Sequence, residues 1–175
     1  MKEAKTLWIM GPTSSGKTTI ASRLLEIFKK NGIPSIHYDG DEIRNLFGKD
    51  LGFESEDRLR VVKALVHFTN KSLHSGQYVL VSALTANKDA RDYVYKNVAN
   101  LIIIYLKCSI LKCIERDPKG LYKNAQKGEI DTLIGYNSNY LPPDNPHIVI
   151  DTENNSIESC INTLKKELAK FEIRL

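Results

Sequence analysis

The sequence predicts a three-layer α/β/α domain built on a five-stranded parallel sheet. Short apolar runs rich in β-branched residues alternate with longer segments of helical pattern. The runs are apolar throughout, which is typical of parallel strands covered on both faces. The length of 175 residues suits a single domain spanning 1–175. The predicted strands are TLWIM (6–10), PSIHYD (34–39), YVLVSAL (78–84), LIIIYLKC (101–108) and HIVID (147–151).

The segments between these strands have the periodicity of amphipathic helices. In the first, Ile20, Leu24 and Phe28 recur at helical spacing and predict a core-facing stripe. Residues 117–146 break the alternation, with three glycines, four prolines and many polar residues. A loop this long within a compact domain is usually a lid or a binding loop, so we predict a lid segment here. The predicted helices are 17–30, 56–74, 89–98, 110–116 and 156–171.

Composition limits the class of protein and its partners. The chain is 42% hydrophobic and 26% charged, and no apolar run approaches the roughly 18 residues of a membrane span. The apolar run near the N-terminus is too short for a signal peptide, and the three cysteines are odd in number and lack metal-ligand spacing. A net charge of +4 without a basic stripe argues against nucleic-acid binding. We therefore expect a cytoplasmic protein with reduced thiols and neither a membrane nor a nucleic-acid partner.

The stretch GPTSSGKTT (11–19) matches the P-loop pattern and lies between a predicted strand and a predicted helix. In this pattern backbone N–H groups and the helix N-terminus hold phosphates, the lysine neutralises the β and γ oxygens, and the hydroxyl of the next residue ligates Mg²⁺. ANKD (86–89) does not have the spacing of a guanine-reading motif, which argues against a GTPase switch. The candidate phosphate-binding residues are Gly11, Ser14, Ser15, Gly16, Lys17, Thr18 and Thr19.

Two predicted strands end in an aspartate that could help Thr18 to hold the metal. These are Asp39 and Asp151, and the first is better placed. It continues as DGDEIR (39–44), which puts Asp39 and Asp41 on one predicted tight turn around a glycine, with Arg44 following on a predicted short helix. One carboxylate could accept a hydroxyl proton while the other holds metal through water. The alternative is a solvated turn without a ligand.

Four blocks together resemble the adenylylsulfate kinase family. They are the P-loop, DGDEIR (39–44), DLGFESEDR (50–58) and RDPKGLYKNAQKGEI (116–130), and the tail NPHIVIDT (145–152) also fits. The resemblance runs from about residue 4 to 170. It implies an adenylate-kinase-like P-loop NTPase fold that is commonly dimeric. It also implies transfer of the γ-phosphate of MgATP to the ribose 3′-hydroxyl of a nucleotide acceptor.

The resemblance also implies individual roles. Asp39 corresponds to the catalytic carboxylate at the 3′-hydroxyl and metal, with Asp41 beside it, and Lys17 and Lys119 act at the phosphates. Arg116 belongs to the ATP side. Arg44 and Arg58 match arginines that hold anionic groups of the acceptor, a task suited to the planar guanidinium, although ion pairs with Glu42 or Asp57 are the alternative. The residues expected to bind the acceptor are Asp41, Arg44, Phe53, Arg58, Val61, Thr85, Lys119 and Leu133.

The chain departs from the family on the acceptor side. Leu133 replaces a phenylalanine that would sandwich adenine with Phe53, and Val61 replaces an asparagine near the sulfate, while Tyr136 could supply a differently placed ring. The segment ALTANK (83–88) replaces Phe-Ile-Ser-Pro-x-Arg. Stacking is worth about 1 to 3 kcal/mol per base. Our main hypothesis is therefore a kinase for a variant acceptor such as cytidine diphosphoramidate, in capsule modification. The alternatives are an adenylylsulfate kinase with ordinary drift and a non-catalytic ATP-binding regulator.

Overall fold

A computed structural model describes residues 3–48 and 51–175 of the chain. Five parallel strands form one sheet in the order β2-β3-β1-β4-β5, so the strand preceding the P-loop is central. Each strand lies within one or two residues of its predicted bounds. The strands are β1 (Thr6–Met10), β2 (Ser35–Asp39), β3 (Tyr78–Ser82), β4 (Leu101–Lys107) and β5 (Ile148–Asp151).

Seven helices connect and cover the strands within the described residues. The first coincides with its prediction, and the last begins after Ser156, whose side chain accepts a hydrogen bond from the backbone N–H of Ser159 as an N-cap. The helices are α1 (Lys17–Lys30), α2 (Gly40–Leu46), α3 (Ser55–His74), α4 (Lys88–Asn97), α5 (Ile110–Arg116), α6 (Leu121–Gln126) and α7 (Ile157–Ala169).

Alternation along the central strand divides the interior into two cores. Leu7 and Ile9 pack with residues of α1 and α7 on one face of the sheet. Trp8 and Met10 pack with α3 and α4 on the other. Because successive side chains of a strand point to opposite faces, a strand with both faces covered must be apolar throughout. The predicted three-layer architecture is confirmed.

The lid segment contains more structure than the sequence predicted. Six of its residues form α6, which begins after Gly120, a residue with φ +68°. Tyr122 of this helix is completely buried with Cys108 and Cys113. A loop without secondary structure was therefore the wrong expectation for this part, because a six-residue helix is too short to show a clear apolar period.

Among residues 3–48 and 51–175, no helix combines the length and the hydropathy that a membrane-crossing segment requires.

Candidate active site

The P-loop curls around the side chain of Lys17. Its Nζ donates hydrogen bonds to the backbone carbonyls of Gly11 at 2.9 Å and Pro12 at 2.7 Å. The loop reaches this shape through left-handed backbone at Ser14 (φ 66°) and Gly16 (φ 95°). Burial lowers the pKa of Lys17 to about 8, against the opposing effect of Asp41.

Gly11 has a packing role in this loop. A Cβ there would lie 2.6 Å from the Ser15 hydroxyl oxygen and 3.0 Å from the backbone oxygen of Leu106. Of the predicted site residues, Gly11 is the one that does not line the cavity described below. The glycine lets the P-loop lie close against β4.

Asp39 ends β2 and accepts three hydrogen bonds. The hydroxyls of Thr18 and Ser82 each donate to Oδ2 at 2.7 Å, and the backbone N–H of Asp41 donates to Oδ1 at 2.9 Å. Burial by itself raises the pKa of Asp39, but these hydrogen bonds outweigh it and the net pKa is lowered. Asp39 is therefore held as a carboxylate at the mouth of the P-loop.

The pair of Thr18 and Asp39 suits a magnesium ion. Both side chains offer hard oxygen ligands, and these oxygens lie 2.7 Å apart beside the phosphate-binding loop. Within the described part of the chain, no group of three or more His, Cys, Asp or Glu could hold a metal. Mg²⁺ takes one or two protein ligands and completes its shell with phosphate oxygens and water, so the Thr18–Asp39 pair suffices for it.

The short helix predicted at Arg44 is present as α2, but it begins at Gly40, so Asp39 and Asp41 do not lie on the predicted tight turn. Gly40 is the first residue of α2, and Asp39 is its N-cap, which explains the hydrogen bond from the Asp41 N–H. Asp41 faces the lid segment, where Lys119 Nζ lies 2.5 Å from its Oδ2. This hydrogen bond raises the pKa of Lys119. The second carboxylate of the motif thus pairs with the lid.

Arg44 and Arg58 converge on Phe53. Their guanidinium carbons lie 4.5 and 5.8 Å from the centre of its ring. Arg44 donates to the Gly52 carbonyl at 2.6 Å, and Arg58 donates to the carbonyls of Phe53 at 2.7 Å and Thr132 at 2.9 Å. Burial lowers the pKa of both arginines, but a guanidinium is not deprotonated in proteins, so both side chains stay charged.

The two arginines therefore bond to backbone carbonyls. The alternative ion pairs, with Glu42 or Asp57, do not form among the residues that the structure describes. A guanidinium bonded only to neutral carbonyls keeps its full positive charge available to an anion. Asp50, which begins the DLGF motif, lies outside the described residues.

One cavity of about 700 Å³ joins these parts. The P-loop and α2 form one side, and the lid segment forms another. Phe53 is half exposed at this cavity. Every predicted site residue except Gly11 lines it: Ser14, Ser15, Gly16, Lys17, Thr18, Thr19, Asp39, Asp41, Arg44, Phe53, Arg58, Val61, Thr85, Arg116, Lys119 and Leu133.

Arg116 lies at the end of the cavity near β5. Its guanidinium donates to the carbonyl of Thr152 at 2.5 Å and contacts the Cys108 sulfur at 3.6 Å. The Thr152 hydroxyl in turn donates to the backbone carbonyl of Ser15 at 2.9 Å. These contacts tie the segment after β5 to the P-loop, and they leave a flat guanidinium at the cavity wall.

The loop after β3 forms the opposite wall and is strained at Thr85. This β-branched residue has φ +43°, a genuine outlier for its type. Its hydroxyl accepts a hydrogen bond at 3.0 Å from the indole N–H of Trp8, which is completely buried. Arg91 holds the same loop by donating to the Ala86 carbonyl at 2.9 Å, and it also donates to the carbonyls of Leu141 and Pro142 in the lid segment.

The acceptor-side departures lie in this cavity. Val61 is nearly completely buried and Leu133 is half-buried against the cluster around Tyr122, so both present apolar surface to a ligand. Tyr136 is 43% exposed and is not among the lining residues, so it does not replace the missing aromatic there.

Sequence reasoning missed several side chains of the site. Ser82 and His37 complete the surroundings of Asp39, and Trp8 and Thr152 act through hydrogen bonds to loops. A signal for Ser82 was present, because it ends the strand beside Asp39 and the carboxyl ends of parallel strands share one edge of a sheet. The two hydrogen bonds to loops have no equivalent sequence pattern.

Comparison with known proteins agrees with this geometry. The family model described as adenylylsulphate kinase matches residues 3–151. "Probable adenylyl-sulfate kinase" of Aeropyrum pernix is 39% identical over 90% of this chain and 88% of its own length. Adenylyl-sulfate kinase of Oceanobacillus iheyensis is 38% identical over 90% and 80%.

A solved structure is similar along almost the whole chain. The Mycobacterium tuberculosis APS kinase CysC in complex with AMPPNP and APS has a TM-score of 0.87 at 29% identity, covering 97% of this chain and 99% of its own. Family match, sequence identity and fold all lead to one conclusion. The chain belongs to the adenylylsulfate kinase family and is an ATP-dependent kinase by fold and descent.

Proposed function

We propose that this protein transfers the γ-phosphate of MgATP to the ribose 3′-hydroxyl of adenylylsulfate. The observation that carries the proposal is the family match over residues 3–151, together with relatives of 38–39% identity named as adenylyl-sulfate kinases. The neighbour solved with AMPPNP and APS has the same fold at a TM-score of 0.87. A cavity of about 700 Å³ leaves room for nucleotides beside the P-loop.

In the proposed reaction the acceptor 3′-oxygen forms a bond to the γ-phosphorus while the bond to the bridging oxygen breaks and ADP leaves. Lys17 neutralises the phosphate oxygens, and Lys119 leaves Asp41 to close over them. Asp39 orients the hydroxyl and offers an acceptor for its proton. Thr18 and Asp39 would hold Mg²⁺, which supplies charge neutralisation at the phosphates when bound. Positioning carries most of the catalysis.

The acceptor would bind between the arginines and the lid segment. Arg44 and Arg58 provide two positive charges for its anionic groups, and Phe53 provides a ring for its base. Thr85 holds the loop on the opposite wall, and Val61 and Leu133 supply apolar surface. Arg116 belongs to the ATP end. We also propose the cytoplasmic location and the homodimer that the family resemblance implies, and light scattering of the purified protein tests the dimer.

The comparisons do not support the hypothesis of cytidine diphosphoramidate as the acceptor. The substitutions that suggested it, Val61 and Leu133, do line the cavity. This compound is therefore the right competitor for a test. We expect kcat/KM with MgATP to be higher for adenylylsulfate than for cytidine diphosphoramidate. The reverse preference overturns the choice of acceptor while leaving the kinase chemistry intact.

A non-catalytic regulator is distinguished by the same assay, because it binds ATP and phosphorylates neither compound. The variant Asp39→Ala tests the proposed role of the carboxylate in the transfer. We expect it to abolish transfer and to leave ATP binding largely intact in calorimetry, since Lys17 and the P-loop backbone are unchanged. Turnover equal to that of the wild type would remove Asp39 from the mechanism.

A further inference from the structure

Hydrogen bonds on the sheet link His37, Ser82 and Asp39 in a line, and the proposed kinase mechanism gives no role to His37 or Ser82. The register of β2 and β3 pairs Asp39 with Ser82 and His37 with Leu80. Side chains two residues apart in a strand share a face, so His37, Asp39 and Ser82 lie on the same face. The Ser82 hydroxyl donates to Asp39 Oδ2 at 2.7 Å, and His37 Nε2 lies 2.8 Å from the Ser82 oxygen.

The donors and acceptors in this line can be assigned by counting protons. A serine hydroxyl has one proton, and an ionised carboxylate can only accept, so the Ser82 proton points to Asp39. The Ser82 oxygen must then accept its second hydrogen bond from His37, which requires a proton on Nε2. Both the neutral tautomer with Nε2–H and the imidazolium satisfy this requirement. The direction His37 to Ser82 to Asp39 therefore does not depend on the charge of the ring.

These contacts restrict how the carboxylate can turn. Oδ2 receives hydroxyls from α1 and β3, and Oδ1 receives a backbone N–H from α2. Ser82 is 2% exposed and Asp39 is 7% exposed, so water has little access to compete for these bonds. Removing Ser82 would leave Oδ2 bonded to Thr18 alone, which is also a proposed metal ligand.

We propose that Ser82 is a positioning residue of the phosphoryl transfer, which sets the orientation of the Asp39 carboxylate, and that His37 orients Ser82. The inference rests on the proposed kinase function. Small misplacements of a reacting group have large effects on rate, and Asp39 is the group that must meet the acceptor hydroxyl. The effect should therefore appear in kcat and not in the affinity for ATP.

The test compares variants that keep or remove each hydrogen bond. We expect Ser82→Ala to lower kcat about tenfold or more, with the KM and dissociation constant of ATP unchanged. Ser82→Thr, which keeps a hydroxyl, should recover most of the loss. His37→Leu should lower kcat, whereas His37→Gln, whose amide nitrogen can replace Nε2, should stay near the wild type. Because His37 acts through Ser82, His37→Leu should have no further effect when added to Ser82→Ala.

Two kinetic outcomes overturn the inference. One is a Ser82→Ala protein that keeps the kcat of the wild type. The other is a His37→Leu effect that is equally large with and without Ser82. Thermal unfolding of each variant identifies losses of kcat that come from misfolding. If Ser82→Ala or His37→Leu does not fold, Ser82→Thr and His37→Gln, which keep the hydrogen-bonding groups, are still compared with the wild type.

A readout without turnover separates this inference from the proposed function. NMR of the ¹⁵N-labelled imidazole reports which ring nitrogen of His37 carries the proton. We predict a proton on Nε2 in the wild type, whichever acceptor the enzyme uses. A ring protonated on Nδ1 alone would contradict the line of hydrogen bonds, and the absence of any kinase activity with Nε2 protonated would contradict only the proposed reaction.

Discussion

At the scale of the residue, the P-loop curls around the side chain of Lys17. Its ammonium donates hydrogen bonds to the backbone carbonyls of Gly11 and Pro12. Burial lowers its pKa to about 8, and a phosphate beside it would favour the charged form. The lysine therefore gains by exchanging neutral carbonyls for anionic oxygens when ATP binds.

Replacing Lys17 should consequently remove more than a binding contact. We expect Lys17→Ala to lower kcat on the order of 100-fold or more, the scale of losing one preorganised donor at developing charge. Steady-state kinetics with MgATP measure this. Lys170→Ala is the control, because Lys170 is exposed and pairs with Glu167 on α7. Equal loss in both variants would show a general defect and not one at the phosphates.

Leu133 is the residue where affinity for the acceptor can be changed most directly. It lines the cavity, and the family resemblance implies an aromatic at this position that would sandwich adenine with Phe53. We expect Leu133→Phe to lower the KM for adenylylsulfate, since a stacked base gains about 1 to 3 kcal/mol.

The same substitution at Leu111 serves as the control, because Leu111 is 80% exposed on α5 and does not line the cavity. If the KM for adenylylsulfate stays unchanged in Leu133→Phe, the base does not lie between residues 53 and 133.

At the scale of the element, one buried hydrogen bond anchors Thr85 in the loop after β3. Thr85 is kept at φ +43° while its hydroxyl accepts from Trp8. Trp8→Phe removes the donor and keeps an aromatic ring in the core. Losing a buried hydrogen bond costs about 1 to 3 kcal/mol. We expect the KM for the acceptor to rise while the KM for ATP changes little.

Thr85→Ser is the matched variant for this loop, because it keeps the hydroxyl and removes the β-branch. It should bind the acceptor better than Trp8→Phe does. If Trp8→Phe weakens ATP and acceptor equally, the hydrogen bond stabilises the sheet in general and does not shape the acceptor wall.

The elements also show which features a sequence can predict. The strands and long helices were predicted almost to the residue, because apolar periodicity and the buried parallel sheet follow from local pattern. The start of α2 was mistaken for a turn, since Asp39-Gly40 suits either structure until the N-cap hydrogen bond is seen. The contacts of Trp8 and Thr152 join elements distant in sequence, and no local pattern predicts them.

At the scale of the whole molecule, we expect the buried cluster of Cys108, Cys113 and Tyr122 to make the free energy of unfolding depend on pH. Burial raises the pKa of the Cys113 thiol well above its ordinary value. An unfolded thiol ionises at about pH 8.5, so above that pH the unfolded chain holds fewer protons than the folded one. The free energy of unfolding should therefore fall as pH rises through this range, and this contribution is fully present below it.

Cys113→Ala should remove this part of the pH dependence. Denaturant unfolding at a series of pH values between about 7 and 10 measures it. The alanine protein should be less stable at neutral pH, because it leaves a small cavity, and its stability should decline less steeply than that of the wild type as pH rises. Parallel curves would mean that Cys113 ionises normally in the folded protein.

The whole molecule also explains why the donor side was easier to predict than the acceptor side. The P-loop is a contiguous motif whose context on β1 and α1 follows from local pattern. The proposed acceptor wall is assembled from α2, α3, the loop after β3 and the lid segment, and only the fold brings Leu133 and Val61 to one cavity. Our preference for cytidine diphosphoramidate came from reading these substitutions one by one. Similarity along the chain as a whole favours adenylylsulfate.

The most direct measurement is the identity of the product formed from MgATP and adenylylsulfate by the purified protein. Phosphorus NMR of the reaction should show ADP and a nucleotide newly phosphorylated on its ribose 3′-oxygen, and chelation of Mg²⁺ should stop its formation. ATP that stays unconsumed, or a phosphate found on any other oxygen of adenylylsulfate, would contradict the proposed function.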